Sequence, residues 1–480
     1  MLFNSISFLI FFIIVTLLYF LIPHKYRWFL LLVSSCIFYM SFIPVYILIL
    51  VALILIDYTL AILIDKNQGK KRTLFLVLSI ISTCLVLFIF KYFNFFNANF
   101  TELATLIHWN YSISSLSLIL PIGLSFHTFQ SLSYVIEVFL GRQKPEKNLG
   151  IYSLYVMFYP QLVAGPIERP QNLLHQFYEH HKFDYAQVIS GLRLMLWGFF
   201  KKVVIADRLA VLVNTVYNDP TSHSGFPLIL ATVFFAFQIY CDFSGYTDIA
   251  RGAARIMGFR LMKNFDNPYF SKSISEFWNR WHISLSSWFR DYLYTPLIGK
   301  RLSMKRLYFS LIIVFLVSGI WHGANWTFAI WGLLHGGYLV ISILTQNARN
   351  KVADKTGLSK HPLLHNILKI VIIFILACLG WVFFRANTVT DAFYILTHLF
   401  TNFKASLFNT NLGLTYIEVF LGLSSIVFMI LVEYFIAKKS VETLIDKRAL
   451  WIRWIIYILL IVAILLFGVF NNTKFIYFQF

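Results

Sequence analysis

A histidine at the end of an apolar run is the residue best suited to chemistry in this sequence. His322 follows the run 306–321 in the segment SGIWHGANW, between Gly319 and Gly323. An ionisable side chain in an apolar segment is costly to bury and is therefore a functional candidate, and imidazole transfers protons near neutral pH. The glycines let a ligand or another backbone approach closely. A structural histidine bonded to a neighbouring helix would explain the pattern equally well.

A second histidine, His282, lies in the segment 275–288. Large apolar residues recur there at spacings of three and four: Trp278, Trp281, Leu285 and Trp288. This spacing predicts one amphipathic helix with tryptophans on one face and arginines on the other, which suits a membrane interface.

A third polar cluster is the segment 238–248, QIYCDFSGYTD, at the end of another apolar run. Asp242 and Asp248 could bind a cation, orient a histidine or line a polar tunnel. They could equally form interhelical hydrogen bonds that only fix the packing. The sequence leaves these roles open.

Motifs of soluble enzymes and metal sites do not occur. The chain has no P-loop, no dinucleotide-binding glycine motif and no nucleophile elbow, and its four cysteines form no C-x-x-C pair. The loop pair His180–His181 has no cysteine partner nearby, and His361 with His365 has no third ligand. We therefore predict no metal site.

The composition indicates that a membrane protein must position these side chains. Of the 480 residues, 59% are hydrophobic and 13% are charged, and the mean hydropathy is +0.72. Soluble domains carry about 25% charged residues because their surface faces water. Since lipid can solvate an apolar exterior, the chain is predicted to be an all-α integral membrane protein.

Roughly ten to twelve membrane helices are predicted from the apolar runs. The candidate spans are 3–22, 29–42, 45–64, 73–92, 115–139, 188–205, 226–247, 306–321, 324–344, 365–384, 415–437 and 450–470. The first run has no basic residues before it and no cleavage site after it, so we expect a retained anchor.

Loop charges predict the orientation. The loop 65–72 has four basic residues and one acid, the loop 141–147 has three and one, and residues 93–112 between them have no Lys or Arg. Positive-inside reasoning therefore puts the two basic loops in the cytoplasm. The net charge, 40 − 21 = +19, would suggest nucleic acid in a soluble protein. Here we expect it to mark topology and to attract anionic lipid or an anionic thioester, with no nucleic-acid partner.

The stretch 251–306 combines charge with aromatic residues. It has eleven Lys or Arg against three acids, a net charge of +8, and no apolar run long enough to span a membrane. We therefore expect a cytoplasmic-side layer of interfacial or re-entrant helices. Re-entrant backbone is tolerated where protein or a water-filled cavity surrounds it.

Four segments together resemble the membrane-bound O-acyltransferase (MBOAT) family. They are 161–167 (QLVAGPI), 242–246 (DFSGY), 275–294 (SEFWNRWHISLSSWFRDYLY) and 319–336 (GIWHGANWTFAIWGLLHG). The chain looks most like the branch with the alginate O-acetylases and peptidoglycan O-acetyltransferases. One departure is Asn279, where the family pattern has a second arginine; this removes one charge from the expected donor face.

The resemblance implies a single domain over 1–480 whose helices surround a central tunnel. The expected divisions are N-terminal helices over 1–140, a catalytic core over 150–345, and C-terminal helices with an aromatic tail over 346–480. His322 is then the general base and His282 a second catalytic or donor-orienting histidine. The implied supporting and tunnel residues are Asp291, Arg290, Asn325, Trp321, Asp242 and Tyr246.

The chain's aromatic end, FIYFQF, contains Tyr477. It resembles the C-terminal motif of small partner peptides in D-alanylation systems, so Tyr477 is a possible acyl relay. A phenol becomes an adequate nucleophile once a base removes its proton. An interfacial aromatic anchor is the alternative reading.

The resemblance also implies substrates and partners. We expect no bound cofactor, acetyl-CoA or another acyl thioester as donor, and O-acetylation of a cell-surface polysaccharide such as alginate or peptidoglycan. An extracytoplasmic SGNH-type acetyltransferase or esterase is the expected partner, and the bacterial cytoplasmic (inner) membrane the expected location. The alternatives are a lipid or protein O-acyltransferase, a non-catalytic transporter, and a scaffold for a secreted enzyme.

Overall fold

Helices make up all the regular structure in the described part of the chain. The computed structural model describes residues 1–162, 165–299, 303–403, 412–438, 447–470 and 475–476. Two compact units are present, one made of residues 1–195 with 247–262 and the other of residues 196–246 with 263–480. The fold class predicted from the sequence, an all-α membrane protein, is confirmed.

The first unit contains the N-terminal helices. Their bounds are α1 Ile6–Leu21, α2 His24–Met40, α3 Ile47–Lys66, α4 Gly69–Leu87, α5 Phe93–Leu106, α6 Leu124–Phe139, α7 Leu149–Met157, α8 Tyr159–Leu162, α9 Pro170–Leu173 and the start of α10, Tyr185–Phe199. A buried carboxylate links two of them, because Asp57 of α3 accepts a 2.6 Å hydrogen bond from the Ser79 hydroxyl of α4. Such bonds hold helices together where lipid offers no hydrophobic drive for association.

The second unit contains both candidate histidines. Its helices are α11 Asp207–Asn218, α12 Phe226–Ile256 as far as residue 246, α13 Ile274–Arg280, α14 Ile283–Phe289, α15 Thr295–Ile298, α16 Met304–His322, α17 Trp326–Leu344, α18 Gln346–Lys355, α19 Pro362–Arg385, α20 Val389–His398, α21 Tyr416–Lys438 and α22 Leu450–Phe467. π-Helices occupy Phe200–Ala206 and Arg290–Tyr294.

Eight helical segments of the described chain are long and apolar enough to cross a membrane. They are Pro44–Lys66, Gly69–Leu106, Phe226–Ile256, Met304–His322, Trp326–Leu344, Pro362–Arg385, Tyr416–Phe435 and Leu450–Phe467. The count of ten to twelve stays a prediction. In the Leu450–Phe467 helix none of the most apolar window is buried, whereas 83% of that window is buried in the Phe226–Ile256 helix. Lipid must therefore cover the former, while protein covers the latter.

One expected helix of the layer between 251 and 306 is broken. The segment 275–288 was predicted as a single amphipathic helix, and this is wrong: α13 ends at Arg280 and α14 begins at Ile283. His282 between them has a φ of 45°, a left-handed conformation that costs a residue with a Cβ about 1–2 kcal/mol. The tryptophans of this segment are buried in protein, so they form no interfacial face.

Helices α16 and α17 pack closely through glycines. A Cβ added to Gly319 would overlap the carbonyl oxygen of Phe328, and one added to Gly332 would overlap that of Phe315. The close approach of the α17 backbone therefore explains why residue 319, three positions before His322, is a glycine. Such small residues let membrane helices approach and gain van der Waals contact.

We expect Gly319→Ala to destabilise the protein. The added methyl group would force α16 and α17 apart and lower the free energy of unfolding by roughly 1–3 kcal/mol. The matched control is Gly337→Ala in α17, where nothing lies within 4 Å of the added Cβ. Thermal unfolding in detergent, followed by tryptophan fluorescence, should show a lower midpoint for the first variant alone. Equal midpoints would contradict the close approach.

Candidate active site

His322 is the last residue of α16, where the chain leaves one helix and enters the next. Asn325 caps α17 by accepting a 3.0 Å hydrogen bond from the Thr327 N–H. The amide nitrogen of Asn325 also donates to the carbonyl of Asn387, at 3.0 Å. These bonds satisfy backbone groups at a helix end. Asn325 thus holds the turn after His322, and both ends of its amide bind backbone.

The imidazole of His322 lies among aromatic rings. Only 5% of the residue is exposed, and its ring centroid lies 5.1 Å from that of Trp331 and 5.2 Å from that of Phe384. Trp321 is its chain neighbour, at 4.9 Å. These rings exclude water from the imidazole, and electrostatic interactions are stronger in such surroundings.

His282 is fully buried against Phe243 of α12. The two ring centroids lie 4.6 Å apart, edge to face. The ring centroid of Trp321 lies 6.4 Å from that of His282 and 4.9 Å from that of His322, so the indole is a neighbour of both histidines. Burial lowers the pKa of His282 to about 3, because the charged form loses its hydration. This histidine is therefore neutral at physiological pH.

The left-handed turn at His282 is held by a neighbouring segment. The carbonyl of Asn264 accepts a 2.9 Å hydrogen bond from the N–H of Ile283. Its side-chain oxygen accepts from the hydroxyl of Ser284 at 2.6 Å. On the other side of the break, the N–H of Asp266 donates to the carbonyl of Arg280 at 2.9 Å. Backbone groups released by the broken helix are thus satisfied inside the protein.

Asp242 lies in a buried ionic cluster that the sequence did not predict. Its Oδ1 is 2.7 Å from Nζ of Lys202, which lies equally close to Asp207. Its Oδ2 accepts a 2.7 Å hydrogen bond from the backbone N–H of Ile476. The signal for Lys202 was its place inside the apolar run 188–205, since lysine is rare in such segments.

Tyr246 is fully buried one turn after Asp242. Its ring lies 5.3 Å from Nζ of Lys202 and 4.6 Å from the ring of Phe475. Tyr477, the predicted acyl relay, lies outside the described residues, which end at Ile476.

Arg290 and Asp291 lie on the π-helix that follows α14. They form a 3.1 Å ion pair with side chains that are 63% and 37% exposed. Arg290 also lines a cleft with a volume of about 220 Å³ between α13, α14 and α16. Further lining residues include Ser275, Trp278, Asn279, Ser286, Ser287 and Tyr294.

The cleft approaches the histidines through Trp278. Among the described residues, its lining includes neither His282 nor His322. The ring of Trp278 is 5.7 Å from Trp331, which in turn contacts His322. The structure thus brings His282, Trp321 and His322 into one aromatic cluster, next to a cleft lined by both apolar and polar side chains.

A third buried histidine, His335, belongs to the same cluster. It is fully buried, and its ring lies 5.0 Å from both Trp278 and Trp331. His335 was not among the predicted site residues, although Trp331 and His335 share one helix face at a spacing of four. Within the described ranges, no group of three or more His, Cys, Asp or Glu residues could hold a metal ion.

We expect Asn264 and Ser284 to be energetically coupled, since they hold the turn at His282. A double-mutant cycle with Asn264→Ala and Ser284→Ala should give a coupling energy of about 1 kcal/mol. Unfolding in mixed micelles provides the stabilities. Strictly additive single effects would contradict the hydrogen bond as the fixing contact.

Comparison with known proteins identifies the family to which this site belongs. The sequence profile of the MBOAT family matches residues 147–384, a range that contains both histidines and the cleft. The probable alginate O-acetylase AlgI of Pseudomonas aeruginosa is 37% identical over 406 residues, 84% of this chain and 75% of that protein. The peptidoglycan O-acetyltransferase of Helicobacter pylori is 35% identical over 393 residues, 76% and 72% of the two chains.

A more distant relative is the teichoic acid D-alanyltransferase of Bacillus subtilis. It is 30% identical over 282 residues, which are 56% of this chain and 70% of that protein. The similarity to AlgI extends over most of both chains, and the matched range holds the site. The chain therefore belongs to the membrane-bound O-acyltransferase family and is an acyltransferase with several membrane-spanning helices.

Proposed function

We propose that this protein carries an acyl group, most simply acetyl, from a cytoplasmic thioester across the membrane for O-acetylation of a cell-surface polysaccharide. The observation that carries the proposal is the buried cluster of His322, Trp321 and His282 beside a cleft that Arg290 lines. Its motifs lie within the range that matches an acyltransferase family. Relatives named for alginate and peptidoglycan O-acetylation favour a polysaccharide acceptor and an acetyl group.

His322 acts as the general base in this proposal. Its imidazole takes the proton of an acceptor hydroxyl while the hydroxyl oxygen attacks the thioester carbonyl carbon. The tetrahedral intermediate then collapses, the carbon–sulfur bond breaks, and the departing thiolate receives the proton. The products are an oxygen ester and a free thiol.

An indole N–H stabilises the oxyanion of the intermediate. Trp321 lies beside both histidines, whereas the amide of Asn325 already binds backbone at both ends. Donors fixed in a dry site stabilise developing charge strongly because they need no reorganisation. The neutral His282 supports the site by filling the space next to Trp321 and orienting the donor.

The donor is acetyl-CoA or another acyl thioester that enters from the cytoplasmic face. The polar side chains of the cleft suit the amides of a pantetheine arm, and Arg290 suits a phosphate. The basic stretch 251–306 would raise the local concentration of such an anion. Asp291 pairs with Arg290 and sets its position.

The acceptor side requires a partner. An extracytoplasmic SGNH-type acetyltransferase or esterase would pass the group to the polysaccharide, and the protein would reside in the bacterial cytoplasmic membrane. A lipid or protein acceptor is the second candidate within the family. A transporter without catalysis predicts substrate movement with no thioester cleavage and no dependence on His322.

We expect His322→Ala to abolish thioester cleavage. Purified protein in nanodiscs would receive radiolabelled acetyl-CoA, and thiol release would be followed in time. Loss of a general base lowers the rate by about 10²–10⁴-fold. The matched control is His361→Ala, an exposed histidine in the segment before α19. Thiol release by the His322 variant at the wild-type rate would contradict the assignment, and no release by wild type with its partner present would favour the transporter.

Tyr477 serves as the acyl relay in this proposal, and Tyr477→Phe removes only its hydroxyl oxygen. We expect polysaccharide acylation to be lost in this variant while donor binding is retained, because no phenol remains to be acylated. Acylation of the polysaccharide measured by mass spectrometry, with donor binding measured by calorimetry, provides the test. Wild-type acylation in the variant would rule out the relay.

A further inference from the structure

The last residue of α22 and the segment that follows it are bound at several points to one part of the second unit. A guanidinium nitrogen of Arg208 donates to the carbonyl of Phe467 at 2.8 Å. The N–H of Val469 donates to the carbonyl of Val203 at 2.9 Å. Val203 belongs to the π-helix Phe200–Ala206, and π-helical turns occur frequently at functional sites.

A third contact of this segment is the hydrogen bond from Ile476 to Asp242. Every group involved is at least nine-tenths buried, including Lys202 and Asp207, which complete the ionic cluster. A buried carboxylate is tolerated only if it is paired and hydrogen-bonded. The backbone N–H of residue 476 thus belongs to the set of donors that stabilise Asp242.

Close helix packing allows this ionic cluster to form. A Cβ on Gly245 would lie 2.8 Å from the carbonyl oxygen of Gly198 and 3.3 Å from Cβ of Lys202. The glycine of the DFSGY segment therefore lets α12 approach the π-helix that carries Lys202. This approach brings the lysine ammonium within 2.7 Å of Asp242.

The bound segment also borders the catalytic cluster. The ring of Phe475 lies 5.6 Å from that of Phe243 and 4.6 Å from that of Tyr246. Phe243 in turn is the ring that packs against His282 at 4.6 Å. Phe475 is therefore separated from His282 by a single aromatic side chain.

We infer that the pair of Asp242 and Lys202 docks the chain's own segment 475–476 beside His282, and that this docking is required for transfer to the acceptor. The requirement for transfer rests on the proposed function, whereas the docking does not. Asp242 and Lys202 are then positioning residues, which act through Phe475. Of the roles left open for Asp242, neither cation binding nor tunnel lining is needed.

The backbone contact can be removed without changing Asp242. Ile476→Pro lacks the N–H that binds the carboxylate, whereas Ile476→Val keeps it. We expect the proline variant to lower acetyl transfer about tenfold more than thiol release, the effect of one lost charge-assisted hydrogen bond. The remaining thiol release then comes from hydrolysis, in which water takes the acyl group in place of the acceptor hydroxyl. The valine variant should keep the wild-type ratio of acetyl transfer to thiol release. A wild-type ratio in the proline variant would overturn the inference.

A second matched pair of variants changes Asp242, the hydrogen-bond acceptor in this contact. Asp242→Asn keeps an oxygen for the N–H of residue 476, and Asp242→Leu, of nearly the same shape, does not. Hydrogen–deuterium exchange of the peptide that contains residue 476 reports docking directly in the full-length protein. We expect fast exchange for the leucine variant and slower exchange for the asparagine variant. Equally slow exchange in both would overturn the docking.

The two measurements separate this inference from the proposed function. A wild-type protein that cleaves no thioester would contradict the function, while hydrogen exchange would still decide the docking. Equal loss of thiol release and transfer in Ile476→Pro would overturn the positioning role, because general misfolding affects both steps alike. The inference is supported if Ile476→Pro loses acetyl transfer selectively and Asp242→Leu shows fast exchange at residue 476.

Discussion

The constraint on which the structure depends is that backbone polar groups shielded from water must find partners inside the protein. A helix ends at or next to each of the two histidines, so backbone N–H and C=O groups lose their helical partners at two places. Asn264 and its neighbours satisfy the break at His282, and Asn325 satisfies the one at His322. The residues that cap these breaks thus decide where the imidazoles lie.

Aromatic side chains also position the two imidazoles. Trp321 lies beside both histidines, and the rings of Trp331 and Phe384 lie against His322. Rigid rings lose little conformational freedom and exclude water, so an imidazole among them keeps a defined orientation. The same environment keeps His282 neutral, because a buried imidazolium loses its hydration.

Sites in this protein combine elements from distant parts of the sequence. The ionic cluster joins Lys202 to Asp242 and then to residue 476, and the close approach at Gly245 makes this possible. Charge inside an apolar run is expensive, so Lys202 could have been flagged from sequence alone. Its partner could not, because the carboxylate lies forty residues further along the chain and the pairing depends on helix packing.

The sequence by itself determined the class of this protein and the family to which it belongs. A charge content of 13% excluded a water-facing surface, and the spacing of the GIWHGANW and SEFWNRWH segments carried the family resemblance that the comparisons confirmed. Only the tertiary structure decided the break at His282 and the role of Asn264. Periodicity predicts a continuous helix wherever apolar residues recur, but a left-handed residue persists when groups from another segment bind the freed backbone. Those groups come from residues 264–266, and no local pattern in 275–288 reports them.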